Sequence, residues 1–348
     1  MNALFLAAVK ARSGLPGLDL SGHIGNNNSI PWTIVFTLTL LTLLPAILLA
    51  MTPMVRLLVV FHFLRQALGT QTAPSNQVLM GLGLMMTWFL MQPVLVQVDQ
   101  QAVEPFRAGQ ISGWDAIDRG SEPVKTYMLR YAREKDLALF VSASMTERPA
   151  KPGDLPIRVV VPAYILSELK AGFEIGAVLF LPFLLVDMVV ASITTSIGMF
   201  QLPPVVISTP LKILLFVMVD GWNLLASSLL KSFYPGHQPG RTGAGKRWDG
   251  NVQERNAMGP DAVAELMRNL LREALILGAP VLAAACITSF LISLLQTLTS
   301  LQDQTISTVP RLLIVVGLLM AALPWFLGRL MSYTLSLFSD FHRFLGAG

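Results

Sequence analysis

Residues 158–232 read RVVVPAYILSELKAGFEIGAVLFLPFLLVDMVVASITTSIGMFQLPPVVISTPLKILLFVMVDGWNLLASSLLKS. Two apolar runs, Ala177 to Ile197 and Val205 to Leu230, flank the pair Pro203–Pro204. Proline lacks a backbone N–H and restricts the residue before it, so a double proline is a helix boundary. Each run has bilayer length, roughly 20 residues at ~1.5 Å rise. The expectation is a hairpin of two long apolar helices folded over Pro203–Pro204.

The charges in this hairpin restrict how it can be placed. Glu168, Lys170 and Glu174 precede the first apolar run, Asp187 lies inside it, and Lys212 and Asp220 lie inside the second. An ionised group at the centre of a bilayer costs roughly 2.5 to 3.5 kcal/mol on insertion scales. These six residues are therefore expected to face other protein, water or one another, as inter-helix or inter-subunit charges. Lys170 and Glu174 are one helical turn apart and can pair on one face. Asp187 and Lys212 are equidistant from a turn centred near Met199–Phe200, so they can meet across the hairpin.

The runs PAYILSELKAGFEIG, FLPFLLVDMVVAS, GMFQLPPVVIS and PLKILLFVMVDGWNLL closely resemble the FliP family (SctR in injectisomes), a component of the type III secretion export gate. The resemblance fixes charged and proline positions inside apolar sequence, which generic hydrophobicity would not. It implies a role for the turn. Relatives carry a run of methionines after the turn glycine, lining a constriction that closes the empty channel, a task suited to a flexible thioether. Here the stretch is Gly198-Met199-Phe200-Gln201-Leu202, with one methionine. Met199, Phe200 and Leu202 become the candidate constriction.

Composition agrees with a membrane protein. The 348 residues are 53% hydrophobic and 13% charged, against about 25% charged in a soluble domain, and mean hydropathy is +0.60. Net charge is +4 and dispersed, so nothing indicates a nucleic-acid partner. The single cysteine, Cys286, excludes an intramolecular disulfide and reads as a small buried apolar residue. The four histidines form no ligand-spaced pair, and no hydrolase, nucleotide-binding or metalloprotease motif occurs. Neither an enzyme nor a cofactor is expected.

Residues 1–31 form a polar N-terminal segment. Its short apolar core, Leu4 to Val9, is followed by Lys10 and Arg12, a departure from the cleavable signal common in the FliP family. Residues 32–233 make the FliP-like part. Trp32 to Met51 is apolar and interrupted by Pro45; a second apolar segment runs from Gln77 to about Val98. RLLVVFHFLRQALGTQTAPSNQVL between them again resembles FliP, and Gly69 to Asn76 reads as a turn. Arg56 and Arg65 have no acid nearby in sequence, which puts this connection on the cytoplasmic side. Residues 99–157 are expected to be an extramembranous, mostly helical insert: positions 99–154 hold nine acidic and eight basic residues, and Ser112 is a candidate N-cap.

Residues 234–257, YPGHQPGRTGAGKRWDGNVQERNA, are rich in Gly and Pro and read as a flexible linker. Residues 258–348 read as two apolar helices joined near Leu301 to Pro310, with Pro260 and Asp261 suited to a helix start. This unit resembles FliQ (SctS), through GAPVL, SFLISLLQTLTSLQDQTIS, the VP that follows and a late PW. The family usually has Lys after that proline; here it is Arg311, whose donor geometry differs. Gln296, Gln302 and Arg311 are candidate polar contacts of this hairpin.

The fold expected is an all-α membrane protein of proline-broken hairpins, a FliP-like part followed by a FliQ-like two-helix hairpin. The resemblance implies several copies around a pore that passes unfolded export substrates across the bacterial inner membrane at the flagellar basal body. It further implies a FliR-like subunit, FlhB-like and FlhA-like export components, and membrane lipid as partners. A rival of another class is a secondary transporter using Asp187, Lys212 and Asp220 for ion coupling. Such transporters carry internal repeats, and none is visible here.

Overall fold

The computed structural model describes residues 32–70, 72–144, 152–199, 203–233, 260–299 and 304–339. The N-terminal segment 1–31, the linker 234–257 and the site candidates Phe200, Leu202 and Gln302 lie outside the described residues. Two units divide at Ile47 and Leu48. In the first, the described residues belong to α1 (Trp32–Met51), whose stretch from Ile34 is long and apolar enough to cross a membrane.

The second unit is built on α6 (Ile157–Ile197), 41 residues in one helix. At ~1.5 Å rise per residue this is about 60 Å, roughly twice the hydrocarbon thickness of a bilayer. It runs through Pro162 and Pro182, and helices likewise continue through Pro45, Pro93, Pro280 and Pro324. The interruption expected at Pro45 does not break its helix, which continues to Met51. Pro182 is buried and packed neighbours hold α6 on both sides of its missing N–H, whereas Pro45, Pro93 and Pro324 lie on exposed helix surface. The chain leaves the helix at Gly198 and re-enters at Pro204, as the double proline requires.

α2 (Met54–Ala67) lies along the first half of α6. Their approach depends on Gly172 and Gly176, one turn apart on α6. A Cβ on Gly176 would stand 2.4 Å from the Phe63 ring, and one on Gly172 would meet Val59 at 3.0 Å. Small residues at this spacing let helix backbones come close. Leu57, Val60, Phe61 and Leu64 of α2 are buried with Ile175, Val178 and Leu179 of α6.

The close approach delivers Arg56 Nη2 to Glu168 Oε1 at 2.5 Å, with side chains 7% and 0% exposed. Arg56 was read from the sequence as a charge flanking a cytoplasmic turn. It is a buried partner instead, and the positive-inside argument loses one of its two charges. Arg56 also lies over the Phe233 ring, 4.1 Å from its centroid, and donates to Ser232 Oγ at 3.3 Å.

α3 (Asn76–Val98) returns from the turn at Gly69, whose φ of +72° and paired capping hydrogen bonds make it the left-handed end of α2. It continues through a π-helical turn, Asp99–Val103, and a last turn, Glu104–Arg107. The charged insert follows as α4 (Gly113–Tyr131) and α5 (Glu134–Ala143). Ser112 caps α4 as expected, accepting from Asp115 N while the Asp115 carboxylate accepts from Ser112 N. The insert wraps the start of α6: Tyr127, Met128, Leu137 and Val141 are buried against Val160, Ala163 and Tyr164. Burial, and after it the Glu168 carboxylate, pushes the Tyr127 phenol up from its ordinary pKa.

Val205 to Leu230, expected as one run, is α7 (Pro204–Met218) and α8 (Gly221–Phe233), meeting at a 67° bend. Asp220 occupies the bend at φ +53°, rare for a residue with a Cβ, and its carbonyl accepts from Leu224 N to start α8. Phe216 fills the corner, where a Cβ on Gly221 would stand 2.2 Å from its ring.

The last two helices are α9 (Pro260–Thr299) and α10 (Gln304–Ser339). Their connection is shorter than expected, because α10 begins before Pro310. Leu277, Val281 and Ala285 of α9 and Val315 and Phe326 of α10 are buried with Leu185 and Val189, so this hairpin packs on the second half of α6. Cys286 faces outward, against the expectation of burial. Among the described residues five helices are long and apolar enough to span a membrane, and six if α7 and α8 form one bent span.

Gly176→Val should force α2 away from α6, and overpacking of this kind costs about 1 to 3 kcal/mol. A lowered midpoint of thermal unfolding of the detergent-purified protein, larger than for Gly81→Val, where a Cβ has open space, is the check. Arg56→Met leaves Glu168 buried without its cation and should cost about 3 to 5 kcal/mol, with Arg56→Met/Glu168→Leu recovering much of it. A double-mutant cycle in the same assay measures the coupling.

Candidate functional site

The sequence singles out the charges of the long hairpin and the turn that joins its arms. The structure separates those charges into different environments. Asp187 and Lys212 meet across the hairpin as expected, Nζ to Oδ2 at 2.5 Å, with side chains 25% and 3% exposed. Ser208 completes the group by donating to Asp187 Oδ1 at 2.6 Å. Ser208 and Lys212 are one turn apart on α7, and Ser208 is itself buried, so both point at the same face of α6. That spacing was present in the sequence and identifies Ser208 as a member of the site.

Lys170 and Glu174 do not pair along α6. Glu174 Oε2 accepts from Arg133 Nη2 at 2.9 Å, and Lys170 is exposed. The reason is positional. Arg133 precedes α5, where its backbone N–H donates to Ser167 Oγ at 3.0 Å and so holds the guanidinium beside α6. Ser167 Oγ in turn donates to Asp136 at 2.6 Å. An ion pair to a docked guanidinium excludes the more mobile i,i+4 alternative. Arg133 has no sequence signal, because its partner lies 41 positions away.

Glu168 is the acid held by Arg56, on the buried side of the same helix. Asp220, read as an intramembrane charge, is exposed at the bend and accepts from Asn223 Nδ2 at 3.1 Å. Its role is to shape the corner between α7 and α8.

The turn itself starts with a two-bond cap. Gly198 N donates to Thr195 O and Met199 N to Thr194 O, both at 3.0 Å, around Gly198 at φ +84°. This is the Schellman arrangement, which needs a residue without a Cβ at the left-handed position. Met199 follows directly and is exposed. In the last hairpin, Gln296 and Arg311 are both half-buried. Arg311 Nη1 lies 3.9 Å from where a Cβ on Gly198 would stand, beside the end of α6. The sequence reading missed one strong pair here: Arg329 donates to both oxygens of Glu273, at 2.8 and 3.0 Å, linking α9 to α10.

These positions fall within segments shared with known proteins. The FliP family model matches residues 37–229, and the model described as "Bacterial export proteins, family 3" matches residues 262–335. The flagellar biosynthetic protein FliP of Pectobacterium carotovorum subsp. carotovorum is 50% identical over 212 residues, 60% of this chain and 82% of that protein. FliP of Bacillus subtilis (strain 168) is 46% identical over 200 residues, 58% of this chain and 90% of the relative. FliP of Aquifex aeolicus (strain VF5) is 40% identical over 235 residues, covering 67% and 98%. The chain belongs to the FliP family, is joined at its C-terminal end to a FliQ-type family 3 export segment, and is a flagellar export component.

Proposed function

We propose that several copies of this chain surround an axial pore through which unfolded export substrates cross the bacterial inner membrane at the flagellar basal body. The observation that carries this is the placement of Asp187. It lies inside an apolar run of bilayer length, paired with Lys212, yet a quarter of its side chain remains uncovered in the single chain. A carboxylate facing hydrocarbon is costly, whereas one facing a second copy or a water-filled lumen is not. The length of α6, about twice the hydrocarbon thickness, gives the same answer, since its first half must be housed by protein outside the lipid.

In this reading the turn after Gly198 forms the constriction, with Met199, Phe200 and Leu202 contributed by each copy. Glu168, Glu174, Asp187 and Lys212 hold the helices that carry it, while Lys170 is free to meet a neighbouring copy. The family 3 segment packs against α6 from outside, tethered through residues 234–257, which form the boundary between the two parts. A FliR-like subunit completes the ring, and FlhB-like and FlhA-like components couple it to the export machinery.

The first test is the native mass of the detergent-purified complex, co-expressed with its FliR-like partner. A ring-sized assembly of intact 37.9 kDa chains is expected. A monomer or dimer that never takes up the partner would refute the assembly.

Replacing Met199 by Gly should raise the permeability of cells to small charged solutes without changing that mass. Asp187→Asn, which strands the Lys212 ammonium, should lower the yield of assembled complex, and Asp187→Leu/Lys212→Met should restore part of it. Ion-driven solute uptake by the purified wild-type protein, lost in Asp187→Asn with assembly intact, would instead favour a secondary transporter.

A further inference from the structure

The end of α6 is a negative pole. An α-helix carries about half an elementary charge at its C-terminus, concentrated on the carbonyls of the last turn. The cap at Gly198 occupies the carbonyls of Thr194 and Thr195, so among the described residues those of Ser196 and Ile197 carry the pole. The cation placed there comes from the other hairpin. Arg311, in the second turn of α10, brings Nη1 to 3.9 Å from the Cβ position of Gly198, while its Nε is buried and makes no hydrogen bond among the described residues. A half-buried guanidinium is stable only where negative charge or acceptors lie near it, and the carbonyl pole at the end of α6 supplies the negative charge.

We propose that Arg311 is a positioning residue for the export turn: the family 3 segment holds the end of α6, and with it Met199, through this guanidinium. The inference rests on the reading of the turn as the constriction and adds what keeps it in place. Met199 is tied to α6 by its own N–H, bonded to Thr194 O, so whatever fixes the last turn of α6 fixes the base of Met199. The contact also makes the register of α10 against α6 part of the closed state. Val315, one turn beyond Arg311, is fully buried against α6, so α10 cannot slide along α6 without withdrawing the cation. Because the two segments belong to one chain, each copy brings its own Arg311 to its own turn.

The experiment uses the full chain with its FliR-like partner, in a Cys286→Ser background carrying Met199→Cys as the site of a spin label. Arg311→Met keeps the aliphatic stem and removes the charge; Arg311→Gln is the second variant should Arg311→Met fail to assemble. Arg311→Lys is the conservative rescue. The expected result is a more mobile label and a severalfold greater permeability to small charged solutes in Arg311→Met, with the native mass unchanged and both signals returned towards wild type by Arg311→Lys. Unchanged label mobility in both uncharged variants would overturn the proposal whatever the permeability. Raised label mobility in Arg311→Met, with no permeability change either there or in the unlabelled Met199→Gly control, would overturn the reading of the turn as a constriction and reduce Arg311 to a fold contact. Raised permeability in Met199→Gly but not in Arg311→Met would keep the constriction and overturn the role of Arg311.

Discussion

The guanidinium of Arg56 and the carboxylate of Glu168 are both withdrawn from water, and each offsets the cost of burying the other's charge. Their meeting requires α2 to lie almost on the backbone of α6, which only Gly172 and Gly176 permit. From that contact the rest of the FliP-family part takes its place. Arg56 also stacks over Phe233 and bonds Ser232, while Tyr131 donates to Phe233 O at 2.6 Å, so the end of α8 and the insert are fastened at the same point. Four segments widely separated in the chain are thus held around one buried ion pair. The net stabilisation from such a pair is small. What it adds is specificity, because any other packing would leave a charge stranded.

A second pair, Asp187 and Lys212, does the corresponding work lower on α6. It is the only ion pair between α6 and α7 among the described residues, and it joins the two arms of the turn after Gly198. The two pairs divide α6 by environment. The first half is surrounded by α2, α4 and α5 and carries two acids, Glu168 and Glu174, that are each held by an arginine. The second half is apolar, carries Asp187 alone, and is covered on one side by the family 3 hairpin. A helix about 60 Å long with such a division is suited to a subunit that is half embedded and half projecting.

Much of this was legible in the residues. Apolar runs of bilayer length bounded by Pro203–Pro204, by Gly69 and by the linker composition define the helices, because length and the missing proline N–H are local properties. Ser112 and its capping box follow from a four-residue pattern. Even the Asp187–Lys212 pair follows from symmetry about the turn, since a hairpin brings equidistant residues together. The misreadings share a cause. Lys170 and Glu174 satisfied a local rule that a docked Arg133 outcompetes. Pro45 likewise satisfied a local rule for a helix break, yet the 20-residue helix continues through it, since one proline removes only one backbone donor. The corner at Asp220 had no signal, because a left-handed aspartate is tolerated only where Phe216 and Gly221 shape the bend around it.

The sequence by itself determined the class of the protein, the placement of its apolar runs, and the kinship of its two parts, since hydropathy, proline placement and motif spacing are written along the chain. Only the tertiary structure decided which acid each cation answers. Arg56 finds Glu168 across 112 positions and Arg133 finds Glu174 across 41, distances over which no periodic pattern survives. It also decided that Arg311, a residue of the last helix, sits at the end of α6. That placement depends on how far α10 is slid along α6, and packing of Val315 and Phe326 against Leu185 and Val189 sets it.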